Sequence, residues 1–121
     1  MQAGALQEQY YESLRDTLIR RACARRTITY GELARRVGLP PQRHVFTRRL
    51  PQLLERVNVE EAADGWPLLG ALVVRVADGL PGAGFFRQAR ELGRLPARAD
   101  AAGEQRFFRE ELQRVHAAWA E

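Results

Sequence analysis

A mainly helical fold with a small β component is what this sequence predicts, and three observations carry that prediction. Apolar residues recur every three to four positions in several separate stretches, the spacing of one helix face. Only two short stretches, Thr27–Thr29 and Pro67–Val76, collect strand-forming residues. The 121 residues suffice for one core and 45% of them are apolar, so a single domain over residues 1–121 is expected.

The first helix is predicted over residues 5–25. Leu6, Tyr10, Leu14, Leu18 and Ala22 form one stripe, widened by Tyr11 and Ile19. Arg20, Arg21, Arg25 and Arg26 close it, which suits the negative end of a helix dipole. Thr27-Ile28-Thr29 reads as a short strand. Thr29 with Glu32 three residues later is a capping box, and a helix follows through Leu33, Ala34 and Val37. Gly38 stops it and Pro40-Pro41 prevents its continuation.

The next periodic segment is Gln42 to Val57. Its apolar side is Val45, Phe46, Leu50, Leu53, Leu54 and Val57. Pro51 interrupts it, so a helix over residues 42–50 and a further helical piece to about Val57 are expected. Asn58 to Trp66 reads as a polar turn, and Pro67 to Val76 as a buried strand. Residues 78–86 form a glycine-rich loop, read as a turn or wing that packs Phe85-Phe86 into the core. Helices are predicted over 85–92 and 104–119, the last with a stripe of Phe108, Leu112, Val115 and Trp119. This order implies a winged-helix-like helix-turn-helix core over residues 27–76. Residues 1–26 and 83–121 add flanking helices.

Charge is unevenly placed. All 19 basic residues are arginine, and the formal net charge is +4. Residues 1–56 carry 11 arginines and 5 acids, whereas residues 57–121 carry 8 arginines and 10 acids. Between Arg20 and Arg49 there are nine arginines and one acid. Guanidinium forks grip phosphate and guanine, so a directed basic face of this kind is expected to meet a polyanion.

Other chemistry is thinly represented. Cys23 is the single cysteine, so no internal disulfide and no cysteine-rich zinc site is expected. It reads as a half-buried side chain rather than a nucleophile. His44 and His116 do not form a metal-spaced pair. The carboxylates Glu60, Glu61 and Asp64 read as a solvated acidic turn. The glycine-rich loop lacks the Gly-Lys-Ser or Gly-Lys-Thr of a phosphate loop. Trp66 and Trp119 read as core aromatics. The longest apolar run, Trp66 to Val74, is too short to span a bilayer, and a cytoplasmic protein is expected.

Residues 27–50 resemble the DNA-binding segment of the alkylguanine-DNA alkyltransferases and of their non-enzymatic relatives, the alkyltransferase-like proteins. The matching residues are Thr29-Tyr30-Gly31-Glu32-Leu33-Ala34, then Gly38, Pro40 and the basic Arg43-His44. In that family the tyrosine after the strand contacts backbone phosphate beside an extruded nucleotide. A basic residue at the start of the second helix enters the base stack. The resemblance implies the first role for Tyr30 and the second for Arg43 or His44. The enzymes carry Pro-Cys-His-Arg before a Val-Val strand. Here the corresponding stretch is Trp66-Pro67-Leu68-Leu69-Gly70-Ala71-Leu72-Val73-Val74, so no alkyl transfer is expected.

The reading that follows is a non-enzymatic DNA-binding protein. Tyr30, Arg35, Arg36, Arg43, His44, Thr47, Arg48 and Arg49 are the candidate contacts, with no catalytic residue, metal or cofactor. The alternative is a protein-binding adaptor, inhibitor or immunity-type module that docks through its acidic C-terminal half. A hydrolase or nuclease is the third reading, and no triad or metal constellation in the sequence supports it.

Overall fold

The computed structural model describes residues 2–120, with the side chains of residues 4–120. Its five α-helices are α1 (Gln2–Cys23), α2 (Tyr30–Val37), α3 (Leu50–Ala63), α4 (Ala83–Glu91) and α5 (Ala101–Ala118). Two short strands, β1 (Ile28–Thr29) and β2 (Val73–Val74), complete a mainly helical fold with a small β component.

α2 starts and stops where the caps predict it. Thr29 Oγ1 accepts from Glu32 N at 3.2 Å and starts α2. The Glu32 carboxylate turns instead to Arg21, at 2.8 Å. Gly38 ends the helix at φ +91°, a conformation that costs glycine little. Its N–H and that of Leu39 both reach the Ala34 carbonyl, at 3.1 and 2.9 Å.

The following helix is longer than expected. Helical backbone runs without a break from residue 43 to residue 63. Val45–Arg49 is a π-helical turn, in which Leu50 N–H bonds to Val45 O five residues back. Pro51 explains it. A proline ring inside a regular helix presses on the carbonyl four residues earlier and leaves one acceptor without a donor. The widened turn absorbs both conflicts, so the chain continues into α3 instead of breaking. Asn58 to Ala63, expected as a polar turn, is the second half of α3.

A second correction concerns Pro67 to Val76. Only Val73–Val74 is a strand, and Leu69–Leu72 is a turn of 3-10 helix. Residues 68–74 are all buried, so the run has no alternation to separate strand from helical turn. β2 pairs with β1 in parallel, Ile28 opposite Val73 and Thr29 opposite Val74. The described residues contain no antiparallel hairpin of the kind a wing requires.

The 3-10 turn lies at the centre of the core, touching α1, α3 and α5. Tyr11, Leu14, Leu18 and Ala22 of α1 bury one face; Leu6, expected on that stripe, is exposed. Phe85 and Phe86 are buried at the start of α4, as the loop reading expected. In α5 the buried positions are Phe107, Phe108, Glu111 and Val115. Trp119 is only partly buried, and its ring stacks on that of the exposed Trp66 with centroids 4.8 Å apart.

Candidate functional site

Ion pairing sorts the arginines between Arg20 and Arg49. Arg20 pairs with Asp16 at 3.0 Å, and Arg21 with Glu32 at 2.8 Å. Arg36 approaches Glu32 more loosely, at 3.8 Å. Arg49 turns back toward α1. Its guanidinium lies 5.1 Å from the Tyr10 ring centre and 3.4 Å from Gln7 Oε1. Of the predicted contacts, Arg35, Arg43 and Arg48 make no ion pair with any described residue. All three are exposed, as are Arg36, His44 and Thr47. Arg35 and Arg36 end α2, while Arg43, His44, Thr47 and Arg48 lie on the first turns of the next helix.

That same helix forms one wall of a cavity of about 320 Å³. Phe46, on its exposed π-helical turn, stands at the cavity together with Pro51 and Leu54. Sequence periodicity put Phe46 in the core. The wide turn rotates it out, to 39% exposure. The helix therefore carries exposed basic residues and a cavity wall side by side, with Phe46 between His44 and Arg48.

Tyr30 and the loop before α4 form another wall. The Tyr30 hydroxyl accepts from Gly82 N at 2.9 Å, which keeps its own proton available to donate. Burial pushes its pKa up, outweighing the Gly82 hydrogen bond and the Arg75 charge, so the phenol stays protonated. Tyr30 is thus held inside the fold by its oxygen rather than projecting from the surface.

The floor is a fixed amide network. Asn58 Oδ1 accepts from Gly70 N at 2.9 Å, and Asn58 Nδ2 donates to Gln88 Oε1 at 2.9 Å. Gln88 Nε2 in turn donates to the Glu55 carbonyl at 2.8 Å. Asn58 and Gln88 are 2% and 6% exposed, so each bond is screened from water. Arg75 and Arg87 border the opening. Arg75 is held by Asp78 at 2.7 Å, and Arg87 by Glu55 and Glu91 at 3.5 and 3.7 Å. The lining holds no cysteine, serine, threonine or histidine side chain.

Asn58, Gly70 and Gln88 escape the sequence reading because their partners lie 12 to 33 residues away. The one local signal is the small pair Gly70-Ala71 inside a bulky apolar run, which marks a close approach.

Elsewhere, two of the three carboxylates read as a solvated turn, Glu60 and Glu61, are engaged, whereas Asp64 is exposed. Glu61 is 3% exposed and binds Arg15 at 2.7 Å. Glu60 accepts from the Tyr11 hydroxyl and from Arg56, at 2.8 and 3.1 Å. Glu91, Glu104 and Glu111 of the C-terminal half also pair with arginine. Cys23 ends α1 in a half-buried position. Among the described residues no group of His, Cys, Asp and Glu could hold a metal ion, and no helix is long and apolar enough to cross a membrane. Compared with protein-family models, curated proteins and solved structures, the chain matches none.

Proposed function

We propose that this is a non-enzymatic DNA-binding protein of the cytoplasm, which grips backbone phosphate and receives one unstacked base. One observation carries the reading. A single helix presents Arg43, His44 and Arg48 to solvent and walls a cavity with Phe46 between them and Pro51 and Leu54 beyond. Arginines without internal partners keep their charge for an external anion, and phosphate supplies it along every strand. An apolar cavity of about 320 Å³ beside those arginines suits a flat aromatic ring. Unstacking costs a few kcal/mol, least at a mismatch, and a side chain that fills the gap offsets part of it. His44 and Arg43 are the residues for that role. Tyr30, with its hydroxyl proton unspent, is the donor to the displaced nucleotide.

The absence of alkyl transfer belongs to the same reading. Counting back from Val73-Val74, Gly70 stands where the resembled enzymes have their cysteine. The pairing of the C-terminal carboxylates with arginine leaves less acidic surface for a protein partner, which favours DNA over the adaptor reading.

The test is a fluorescence titration of matched and mismatched duplexes. Wild type is expected to prefer the mismatch. Gly84→Leu fills the cavity from the first turn of α4. A β-carbon there meets only Arg87 Nη2 at 3.7 Å, so the backbone has room for a side chain at its root. That variant, and the pair Arg43→Ala with His44→Ala, should lose the mismatch preference and keep most affinity for matched DNA. Equal loss on both duplexes overturns the base pocket and leaves groove binding. No binding to either at low salt overturns the DNA reading.

A further inference from the structure

A second cleft, of about 490 Å³, opens between the α4–α5 connection and α5. Gly103, Arg106, Phe107, Glu110 and Arg114 recur at helical spacing and line it as one stripe of α5. Arg94 and Arg98 border it from the connection. It shares no lining residue with the cavity beside Tyr30. The two sit back to back across neighbouring rings, Phe85 of one and Phe107 of the other, with centroids 6.1 Å apart.

The charges of this cleft do not balance. Arg94 and Arg114 share the buried carboxylate of Glu111, at 3.5 and 2.9 Å. That carboxylate also accepts from Leu68 N at 2.8 Å, so it is committed to the core. Glu110 is the only acid in the lining. Arg98 and Arg106 are exposed and make no ion pair with a described residue. Four guanidiniums against the two carboxylates Glu110 and Glu111 leave two positive charges in one concave site. Phosphate monoesters carry close to two negative charges at neutral pH and three acceptor oxygens, which matches forked donors arranged around a centre. The floor is apolar: Leu95 and Phe107 are 4% and 8% exposed.

We propose that this cleft binds a phosphate monoester attached to a flat or apolar group, such as the terminal phosphate of a nucleotide. The phosphate bridges Arg98 and Arg106, and the attached group lies over Phe107 and Leu95. The site is independent of the DNA reading, because none of its residues belongs to the helix-turn-helix. Two sources offer this chemistry: a free mononucleotide and the 5′-phosphorylated end of a strand.

Isothermal titration of the full chain with adenosine monophosphate, adenosine and inorganic phosphate tests the proposal. The monophosphate should bind more tightly than adenosine by about tenfold or more, the factor given by one lost charge-assisted hydrogen bond. Arg98→Ala with Arg106→Ala should lower that affinity by a similar factor. Neither side chain has an ion-pair or hydrogen-bond partner among the described residues, so folding should be unchanged by circular dichroism. Arg43→Ala with Arg48→Ala, on the helix-turn-helix, should leave it intact. Short strands with a 5′-phosphate or a 5′-hydroxyl identify the source. A preference for the phosphate that vanishes in the Arg98/Arg106 variant assigns the site to strand ends, and no preference assigns it to free nucleotides. Equal binding of adenosine and its monophosphate, no binding at millimolar concentration, or an unaffected Arg98/Arg106 variant each overturns the proposal.

Discussion

The Asn58 carboxamide lies so close to Gly70 that a β-carbon at residue 70 would stand 2.6 Å from Asn58 Nδ2 and 2.8 Å from Oδ1. The same carboxamide oxygen accepts the Gly70 N–H at 2.9 Å. The space that a side chain at position 70 would need is filled by a hydrogen-bonded amide. The floor of the cavity is therefore closed by packing as well as by the identity of the residue.

Gly70→Ala and Gly70→Cys should both destabilise the fold, by about 1–3 kcal/mol, the usual cost of overpacking a core. Either change must push Asn58 aside and break its bonds to Gly70 N and Gln88. Cysteine should cost more than alanine because its sulfur needs further room. Urea denaturation reads the change as a lower midpoint at constant slope. An unchanged midpoint would show that Asn58 swings away freely and that the floor is soft.

Glu111 should be the carboxylate the fold can least do without. It is 1% exposed and accepts from Leu68 N, Arg114 and Arg94. Glu111→Ala leaves the Leu68 N–H buried without a partner, which costs about 1–3 kcal/mol. Glu111→Gln keeps an acceptor for Leu68 and should cost less. Thermal unfolding should rank the alanine variant below the glutamine variant, and the reverse order would remove Leu68 from the explanation.

Local chemistry made α2 legible in the sequence, because its start and stop are both written within ten residues: Thr29 and Glu32, then Gly38. The helix after it was harder. Pro51 argues for a break when only propensity is weighed. The π-helical turn at Val45–Arg49 is a tertiary solution that no local rule specifies. It shapes the cavity, since it brings Phe46 to its wall. The candidate contacts were legible as a charge run, but not their sorting. Arg49 reads like Arg48 until Tyr10, 39 residues earlier in the chain, is seen to hold it. The run Leu68–Val74 hid a 3-10 turn because burial on all sides erases period.

His116 should make stability depend on pH. Burial lowers its pKa from the ordinary histidine value, and the charge of Arg25 lowers it further. Its Nε2 is buried with no partner among the described residues. The folded state thus favours neutral imidazole. A depressed folded pKa gives a contribution present above the unfolded value of about 6.5 and lost as pH falls through the folded one. Wild type should lose stability on going from about pH 7.5 to about pH 5.5, above the range where exposed carboxylates titrate. His116→Gln should flatten that slope. Denaturation midpoints measured across the window decide it, and equal slopes for both proteins refute the assignment.

Arg48 and Arg49 are neighbours with different prospects. If DNA is the partner, log affinity should fall linearly with log salt, with a slope of roughly −4 to −5 for four to six neutralised phosphates. Arg35, Arg43 and Arg48 are exposed and make no ion pair with a described residue, so each can replace a counterion. Arg48→Ala or Arg43→Ala should reduce the steepness by about one unit. Arg49 is spent within the fold, over the Tyr10 ring and beside Gln7 Oε1. Arg49→Ala should leave the salt slope alone and lower stability instead, by about 0.5–1 kcal/mol for a half-exposed cation–π contact. Titration of one duplex at several salt concentrations, paired with thermal unfolding, separates the two roles. A slope that falls as far for Arg49→Ala as for Arg48→Ala would mean that Arg49 leaves Tyr10 to meet phosphate on binding.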